Sequence, residues 1–451
     1  TVALDGISRY SGVFPAEASL SHPGGNAQDG TPALAPGACG GEGGADASDR
    51  PLLELTLGSD TVRVPFTACI AVIAPDEVRA AAVDTGRPDS MAVGRLAPGG
   101  DQAWEYFWWN RTPLAIDGEV PGYFRVRLAD RLHAWISKDD VRLEPEGTPP
   151  PRGEVGPTIE MEPTDDGVEI RFHGTDIGPY HIEPSERGIS VEFYGASGRP
   201  VFIGYGAGAG FLERVGWDEV TDERFRFDVE LQERLWGFRH RRDARGRLIV
   251  ELRRPPRIDP GDPFRGLLIA VDAGHPPGGA IGPTRLREAE VTLAVTRRLV
   301  RLLEDRGARV IDVRPDTATL GLFDRVLAVQ ESGADLSVSV HFNAFPDGVD
   351  PFRSNGTAVF YFWPQSVPLA RHLQDALVAE LGLRDVGVRF QNLAMARIGW
   401  LPAVLTESLF MMIPRQEAAL RDEAVLQRIA EAHVRGLERF LTAVGREPRR
   451  R

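Results

Sequence analysis

The sequence predicts a multidomain protein in which two N-terminal all-β modules precede an α/β domain with a mixed, mostly parallel sheet. A length of 451 residues exceeds one ordinary core and suggests about three domains. Proline-rich stretches at 144–157 and 255–263 divide the chain. Before the second stretch apolar residues alternate with a period of two, and after it short apolar runs alternate with helical patterns. The expected segments are a flexible Gly/Pro-rich segment 1–50, a β-rich domain 51–146, a proline-rich linker 147–157, an antiparallel β domain 158–256 and the α/β domain 264–446.

The composition limits the classes of function. A hydrophobic content of 42% and a charged content of 26% are typical of globular proteins. The net charge of −13 argues against a nucleic-acid partner, which would require a basic face. No apolar run approaches the roughly 20 residues that span a bilayer. Cys39 and Cys69 are compatible with one disulfide if the protein is exported. A count of two cysteines excludes a cysteine-rich metal site.

Both N-terminal modules show the alternation of half-buried strands. In the first, an aromatic cluster at 104–109 is followed by strand patterns at 122–128 and 133–137. A barrel core filled by these aromatic side chains is favoured over a ligand platform. In the second, apolar side chains share one face and charges the other, which indicates an antiparallel sheet or sandwich. The segments with this pattern are 168–172, 189–193, 225–231 and 248–252.

The α/β domain begins with a continuous apolar run at 267–271, which suits a buried parallel strand. A helix over 288–306 follows, with its apolar residues on one face and Gly307 at its end. The remaining predicted elements are strands at 310–313, 336–340, 357–362 and 402–405 and helices at 320–332, 367–381 and 423–441.

Four chemically capable side chains lie at the ends of these elements. His275 comes just after the first strand, His341 ends the third, Glu407 follows the last, and Glu288 begins the first helix. Because ligands bind beyond the carboxyl ends of strands in open α/β sheets, we expect these groups to converge. Two histidines and a carboxylate are protein ligands typical of a catalytic zinc ion, and a further carboxylate serves proton transfer.

The order and spacing of the motifs in this domain are those of a known family. The motifs are 271–275, Glu288 with 291–294, 313–314 with Asp316 and Arg325, 334–344, 355–357 and 402–407. Over residues 265–445 the sequence resembles the zinc-dependent N-acetylmuramoyl-L-alanine amidases of the type 3 family. The resemblance implies that His275, Glu288 and His341 bind one Zn²⁺ per catalytic domain and that Glu407 is the general acid/base. Glu290 competes with Glu288 for the ligand role, and the register of the Val-Thr-Leu-Ala that follows favours Glu288.

Two further features concern the surroundings of these residues. Asn343 follows the second histidine and is expected either to bind substrate or to brace the loop, with neither role preferred. The family usually has Gly-Gly after the first ligand histidine, whereas this chain has Pro276-Pro277. Proline fixes φ and lacks an amide proton, so we expect a stiffer loop with fewer backbone donors.

The resemblance implies a peptidoglycan hydrolase that uses zinc-activated water to cleave the amide bond between N-acetylmuramic acid and L-alanine. The alternatives are a zinc peptidase acting on the stem peptide and a catalytically inactive wall-binding scaffold. The first module resembles SH3-like domains, and the second loosely resembles AMIN-like wall-targeting modules. We expect an extracytoplasmic location, periplasmic or cell-wall associated, with a leader peptide removed. A regulatory partner, the stem-peptide preference, the role of residues 1–85 and the oligomeric state are left open.

Overall fold

The computed structural model describes residues 77–87, 90–99, 103–200, 202–206, 210–345 and 349–448, and the backbone of four strands that precede them. The first three of these strands form a small antiparallel sheet in the order β1-β2-β3. They and the fourth strand are β1 Ala18–Ser21, β2 Leu52–Leu57, β3 Asp60–Pro65 and β4 Ala71–Val72. The candidate disulfide between Cys39 and Cys69 lies outside the described residues, as does most of the segment 1–50.

The first module is an eight-stranded antiparallel sheet in the order β11-β5-β8-β9-β10-β6-β7, with β4 also paired to β8. Tyr106 and Trp108 of the aromatic cluster are buried, Trp108 completely, so these two side chains fill a core. The remaining strands are β5 Arg79–Val83, β6 Met91–Arg95, β7 Trp104–Trp109, β8 Pro113–Val120, β9 Tyr123–Ala129, β10 Leu132–Ser137 and β11 Val141–Leu143.

The second module consists of two sheets with orders β16-β12-β13-β21-β20 and β14-β15-β19-β18, and β17 adds to β12. Phe172 of one sheet packs on Phe193 and Phe227 of the other, with ring centroids 5.0 and 5.2 Å apart. The sheets are mainly antiparallel, but β12 pairs in parallel with β16 and β17. The strands are β12 Gly153–Thr164, β13 Gly167–Thr175, β14 Tyr180–Ser185, β15 Gly188–Tyr194, β16 Ala196–Gly198, β17 Phe202–Tyr205, β18 Leu212–Thr221, β19 Arg224–Leu231, β20 Gly237–Arg242 and β21 Leu248–Arg253.

The boundary between these modules differs from the linker that the prolines predict over 147–157. Strand β12 already begins at Gly153, so the last five of the eleven residues in that stretch are part of a sheet. The two modules also share one hydrophobic core. The indole nitrogen of Trp108 donates a hydrogen bond of 2.9 Å to the carbonyl oxygen of Tyr180, which ties the first module to the second.

The C-terminal domain has a six-stranded sheet in the order β23-β22-β24-β27-β25-β26. All neighbouring pairs are parallel except β25 with β27, so the predicted mixed, mostly parallel sheet is confirmed. Strand β26 was not predicted. The elements are β22 Leu268–Ala273, α1 Glu288–Glu304, β23 Arg309–Asp312, α2 Leu322–Glu331, β24 Leu336–Asn343, α3 Pro351–Ser354, β25 Thr357–Tyr361, α4 Val367–Leu381, β26 Asp385–Phe390, β27 Ala403–Phe410, α5 Pro414–Ala419 and α6 Glu423–Gly445.

Hydrophobic cores cover both faces of this sheet. Ile269 and Val271 of β22 belong to the core formed with α1, α4 and α6. Ala270, which points to the other face because side chains alternate along a strand, belongs to a smaller core with Val329 of α2. Burial on both faces explains why β22 is a continuous apolar run in the sequence. None of the helices among the described residues is long and apolar enough to cross a membrane.

The second module docks directly onto the C-terminal domain. The buried indole of Trp236 donates a 2.7 Å hydrogen bond to the carbonyl oxygen of Asp335 and stacks on Phe440 with a centroid distance of 5.7 Å. Arg253 donates to the carbonyl oxygen of Ala334 at 2.7 Å and to the Asp335 carboxylate at 2.9 Å. Because Asp335 immediately precedes β24, this contact lies at the amino-terminal end of that strand.

Candidate metal centre

Three of the predicted residues come together at the carboxyl edge of the sheet. His275 lies on the loop after β22, His341 on β24, and Glu288 is the first residue of α1. Each offers one ligand atom, and these atoms all lie within 4.8 Å of one another. His275 Nε2 is 3.4 Å from Glu288 Oε2, and His341 Nδ1 is 3.0 Å from Glu288 Oε1. The convergence predicted from the strand ends is therefore observed.

The backbone before His275 allows the two histidine rings to approach. A side chain at Gly274 would place its Cβ 2.3 Å from His341 Cε1, so only glycine fits there. The ring centroids of His275 and His341 are 5.0 Å apart. His275 itself has a φ of 56°, in the left-handed region that is costly for a residue with a Cβ.

The orientation of the His275 ring is set by the proline pair. Nδ1 of His275 lies 2.9 Å from the carbonyl oxygen of Pro277. A carbonyl oxygen only accepts, so Nδ1 donates this hydrogen bond, and Nε2 is the ring nitrogen on the side of Glu288. The stiffer loop predicted at Pro276-Pro277 thus supplies an acceptor that orients the histidine.

Glu288 is held as a buried carboxylate. Its oxygens accept hydrogen bonds from the backbone N–H groups of Ala280 at 2.8 Å and Phe342 at 3.2 Å. Burial by itself raises the pKa of Glu288, but the hydrogen bond and charge of His341, the charge of His275 and the Ala280 N–H bring the net pKa below its usual value. Glu290, the competing candidate, is exposed and outside the cluster.

The pKa of His341 is shifted in the opposite direction to that of Glu288. Burial lowers the pKa of an imidazole, but the Glu288 hydrogen bond and the charges of Glu407 and Glu288 outweigh it and raise the pKa of His341. The site therefore concentrates negative charge around two imidazoles, which is the electrostatic environment that a cation requires.

Glu407 lies beside His341 on the neighbouring parallel strand, and their Cα atoms are paired in register. Its Oε2 is inaccessible to solvent and has no hydrogen-bond partner among the described residues. Burial, with a smaller contribution from Glu288, raises the pKa of Glu407 to about 8, against the opposing effect of His341. A carboxyl group with a strongly raised pKa in a charged cleft is characteristic of a functional site.

Asn343 is the last residue of β24. Its carbonyl oxygen accepts a 2.9 Å hydrogen bond from the Met411 N–H, so its backbone braces the loop after β27. This contact involves only the backbone, and a substrate role of the side chain remains a prediction.

The sequence reasoning assigned no role to several buried polar residues around the cluster. Asp272, Arg325 and Ser339 form a buried network, with 2.6 Å from Arg325 Nη1 to Asp272 Oδ1 and 2.6 Å from Ser339 Oγ to Asp272 Oδ2. Arg314 is also buried and contacts the same loop. These positions belong to the motifs of the sequence pattern. In a chain with 52 basic residues, however, nothing local distinguishes a buried arginine from a solvated one.

Comparison with known proteins identifies the family. The family model described as N-acetylmuramoyl-L-alanine amidase matches residues 269–439. The uncharacterized protein YqiI of Bacillus subtilis is 31% identical over 191 residues, which cover 41% of this chain and 90% of that protein. The chain belongs to the N-acetylmuramoyl-L-alanine amidase family. The predicted enzyme class, an amidase that hydrolyses peptidoglycan, is thereby confirmed.

Two further relatives and one solved structure are similar to this amidase. The germination-specific N-acetylmuramoyl-L-alanine amidase of Bacillus subtilis is 28% identical over 205 residues, covering 41% of this chain and 84% of the relative. The probable cell wall amidase LytH of Staphylococcus epidermidis is 29% identical, and the chain spans 61% of its length. The solved N-acetylmuramoyl-L-alanine amidase from Clostridium difficile 630 is 27% identical, with 39% of this chain and 96% of that chain covered and a TM-score of 0.37. The resemblance of the upstream modules to SH3-like and AMIN-like domains remains a prediction.

Proposed function

We propose that this amidase cleaves the bond between the lactyl carbonyl of N-acetylmuramic acid and the L-alanine nitrogen of the stem peptide, with zinc as its metal ion. The observation that carries the proposal is the His275, Glu288 and His341 cluster, whose ligand atoms lie within 4.8 Å of one another beside Glu407. Two imidazoles and one carboxylate leave a coordination position for water and substrate, as catalytic zinc sites require.

The chemistry of the donor set fits zinc. Imidazole nitrogen and carboxylate oxygen are its common ligands, whereas calcium and magnesium prefer an all-oxygen set. The His275 Nδ1 contact to the Pro277 carbonyl oxygen is an outer hydrogen bond of the kind that zinc-ligating histidines make. A bound zinc ion supplies a Lewis acid that activates water and polarises the amide carbonyl.

Glu407 is proposed as the general acid/base. Its buried Oε2 lacks a partner among the described residues, so it is available to exchange a proton. The carboxylate takes a proton from the attacking water and returns it to the L-alanine nitrogen as the carbon–nitrogen bond breaks. A cation in the neighbouring cluster stabilises the ionised form of Glu407 and lowers its raised pKa, which prepares the group to act as a base.

Asn343 is proposed to hydrogen-bond the substrate with its side-chain amide. It ends β24 two residues after His341, at the edge where the other site residues lie. An amide side chain both donates and accepts, which suits the peptide and acetamido groups of a muropeptide.

The cellular setting follows from the substrate. Peptidoglycan lies outside the cytoplasm, so an export leader and a periplasmic or wall-associated location are part of the proposal. The two β modules are proposed to direct the catalytic domain to the wall.

Product analysis of digested muropeptides tests the function. Purified peptidoglycan incubated with the zinc-loaded protein is expected to release peptides with a free L-alanine amino terminus and glycan strands with an intact lactyl group. Products with L-alanine still attached to muramic acid would instead identify a stem peptidase. Wall binding without product release, unchanged in a Glu407→Ala variant, would identify a scaffold.

A further inference from the structure

The guanidinium group of Arg325 joins the sheet to the loop that carries His275. Arg325 lies on α2, and its side chain is 4% exposed. Nη1 donates to Asp272 Oδ1 and to the carbonyl oxygen of Ala273, both at 2.6 Å, and Nη2 donates to the carbonyl oxygen of Pro276 at 2.8 Å. The two backbone acceptors are separated by only three positions in sequence, and His275 lies between them.

A second hydrogen bond connects the loop that Arg325 holds to the histidine ring. The carbonyl oxygen of Pro277, the residue after Pro276, accepts a hydrogen bond of 2.9 Å from His275 Nδ1. Arg325 thus fixes one proline carbonyl, and the adjacent proline carbonyl fixes the ring. Because each proline restricts the backbone between these points, a displacement of Pro276 is transmitted to the ring.

Asp272, the side-chain acceptor of Arg325, is itself held in place by a second hydrogen bond. Asp272 is 1% exposed, and its second oxygen accepts from Ser339 Oγ at 2.6 Å. Ser339 is on β24, two residues before His341. The Arg325–Asp272 pair therefore connects the loop that carries His275 to the strand that carries His341.

Arg314 provides a similar contact toward the third ligand. Its Nη2 donates to the carbonyl oxygens of Gly274 at 3.1 Å and Ala289 at 3.0 Å. Gly274 precedes His275 and Ala289 follows Glu288, so one guanidinium group bridges the neighbours of two cluster residues.

We propose that Arg325 is a positioning residue of the metal site: through Pro276 and Pro277 it holds His275 with Nε2 directed toward Glu288 and His341. The inference rests on the metal site proposed above and adds a determinant of its affinity. Arginine suits this role because its planar guanidinium group donates in several fixed directions at once, whereas the ammonium group of lysine is a single centre.

Zinc affinity measured by competition with a chromophoric chelator tests the proposal, with zinc chloride as the only added metal. Arg325→Lys keeps a positive charge beside Asp272 but cannot reproduce the three contacts of the two Nη atoms. Outer-shell substitutions typically weaken metal binding by about 10- to 100-fold, and we expect Arg325→Lys near the lower and Arg325→Met near the upper end of that range. If Arg325→Met fails to fold because Asp272 is left unpaired, Arg325→Lys decides the question.

Arg253 offers a matched control. It is also buried and also donates to a backbone carbonyl and an aspartate, Ala334 and Asp335, but it lies at the opposite end of β24. Arg253→Lys is expected to leave the zinc dissociation constant within about twofold of wild type. An equal loss of affinity in Arg253→Lys and Arg325→Lys would overturn the proposal, as would unchanged affinity in Arg325→Lys.

Nitrogen-15 NMR of the His275 ring in metal-free protein adds a readout that does not depend on metal. The wild type is expected to carry its ring proton on Nδ1, with a mixture of tautomers in Arg325→Lys. A proton on Nε2 in the wild type would overturn the positioning role even if zinc binds. Wild-type protein that binds no zinc would overturn the proposed function, and the positioning role with it.

Discussion

Glu407 and His341 are direct neighbours in the parallel strands β27 and β24, with their Cα atoms in register although 66 positions separate them in sequence. Side chains at paired positions of adjacent parallel strands point to the same face. This pairing places the proposed acid/base next to one proposed metal ligand.

Replacement of His275 by alanine is expected to remove most of the bound zinc. The cluster then retains only Glu288 and His341 as ligands, and the loss of affinity should exceed the roughly 10- to 100-fold typical of outer-shell changes. Metal content after dialysis measures the effect. His372→Ala is the matched control, since His372 lies on α4 near Phe440 and outside the cluster. Stoichiometric zinc in His275→Ala would contradict the ligand assignment.

Replacement of Glu407 by glutamine is expected to reduce kcat by about 10²- to 10⁴-fold, the usual contribution of general acid–base catalysis. Zinc content should not change, because Glu407 is outside the three-residue cluster. Release of peptide from purified peptidoglycan measures the rate. Glu304→Gln, at the exposed end of α1, should behave as wild type. Full activity of Glu407→Gln would assign the proton transfer to another group.

Zinc binding at pH 7 is expected to release more protons from the wild type than from Glu407→Gln. In metal-free protein the pKa of Glu407 is about 8, so at pH 7 the carboxyl is mainly protonated. A nearby cation favours its ionised form, and the proton leaves as the metal binds. The difference should approach about one proton, measured by calorimetry in buffers of different ionisation enthalpy. Equal release would show that Glu407 is already ionised without metal.

The free energy of unfolding is expected to fall between pH 7 and pH 5 through His433. Burial lowers the pKa of His433 to about 4, while its hydrogen bond to the Ile429 carbonyl opposes the shift. The unfolded chain takes up the proton near pH 6.5 and the fold does not, so this stability is present above pH 6.5 and lost as pH falls toward 4. The expected loss at pH 5 is about 2 kcal/mol.

Urea unfolding at pH 7 and pH 5 measures this loss, with His433→Gln as the comparison. In the variant, the free energy of unfolding should decrease less between pH 7 and pH 5 than in the wild type. A second contribution is expected from His240, whose pKa burial lowers to about 3. An identical pH dependence in the variant and the wild type would rule out His433 as its source.

Truncation of Trp236 to alanine is expected to cost about 3–5 kcal/mol in the free energy of unfolding, as is usual for a buried tryptophan. Its indole is fully buried in the core of the catalytic domain although the residue belongs to the second module. Trp217→Ala is the matched control, because Trp217 is 50% exposed on β18 and surface substitutions usually change stability by less than about 0.5 kcal/mol. Equal effects of the two changes, measured by chemical denaturation, would contradict a docking role.

Several features of the site could be predicted from the sequence because they depend on local pattern. The apolar run of β22 and the alternation in β24 identify buried strands, and a histidine at the end of such a strand must lie at the carboxyl edge. The choice of Glu288 over Glu290 came from the resemblance, in which the Val-Thr-Leu-Ala that follows sets the register, and the structure buries Glu288 and leaves Glu290 exposed.

Other features required partners that the sequence pattern does not identify. The predicted linker at 147–157 contains the first residues of β12, because proline content does not reveal that Gly153 pairs with Ala196. Arg325 could not be assigned a role, because all but one of its acceptors are backbone carbonyls, which any residue type has. The raised pKa of Glu407 also depends on burial, which is a property of the assembled sheet.

The sequence by itself determined the family, through the order and spacing of its motifs, and most of the strands and helices of the catalytic domain, through their periodicity. The candidate ligands are those that the resemblance implies. The tertiary structure decided which carbonyl orients His275, how far Glu407 is removed from water and where Trp236 anchors the second module. The physical reason is that desolvation and long-range hydrogen bonds depend on which surfaces meet, and that is determined only when the whole chain packs.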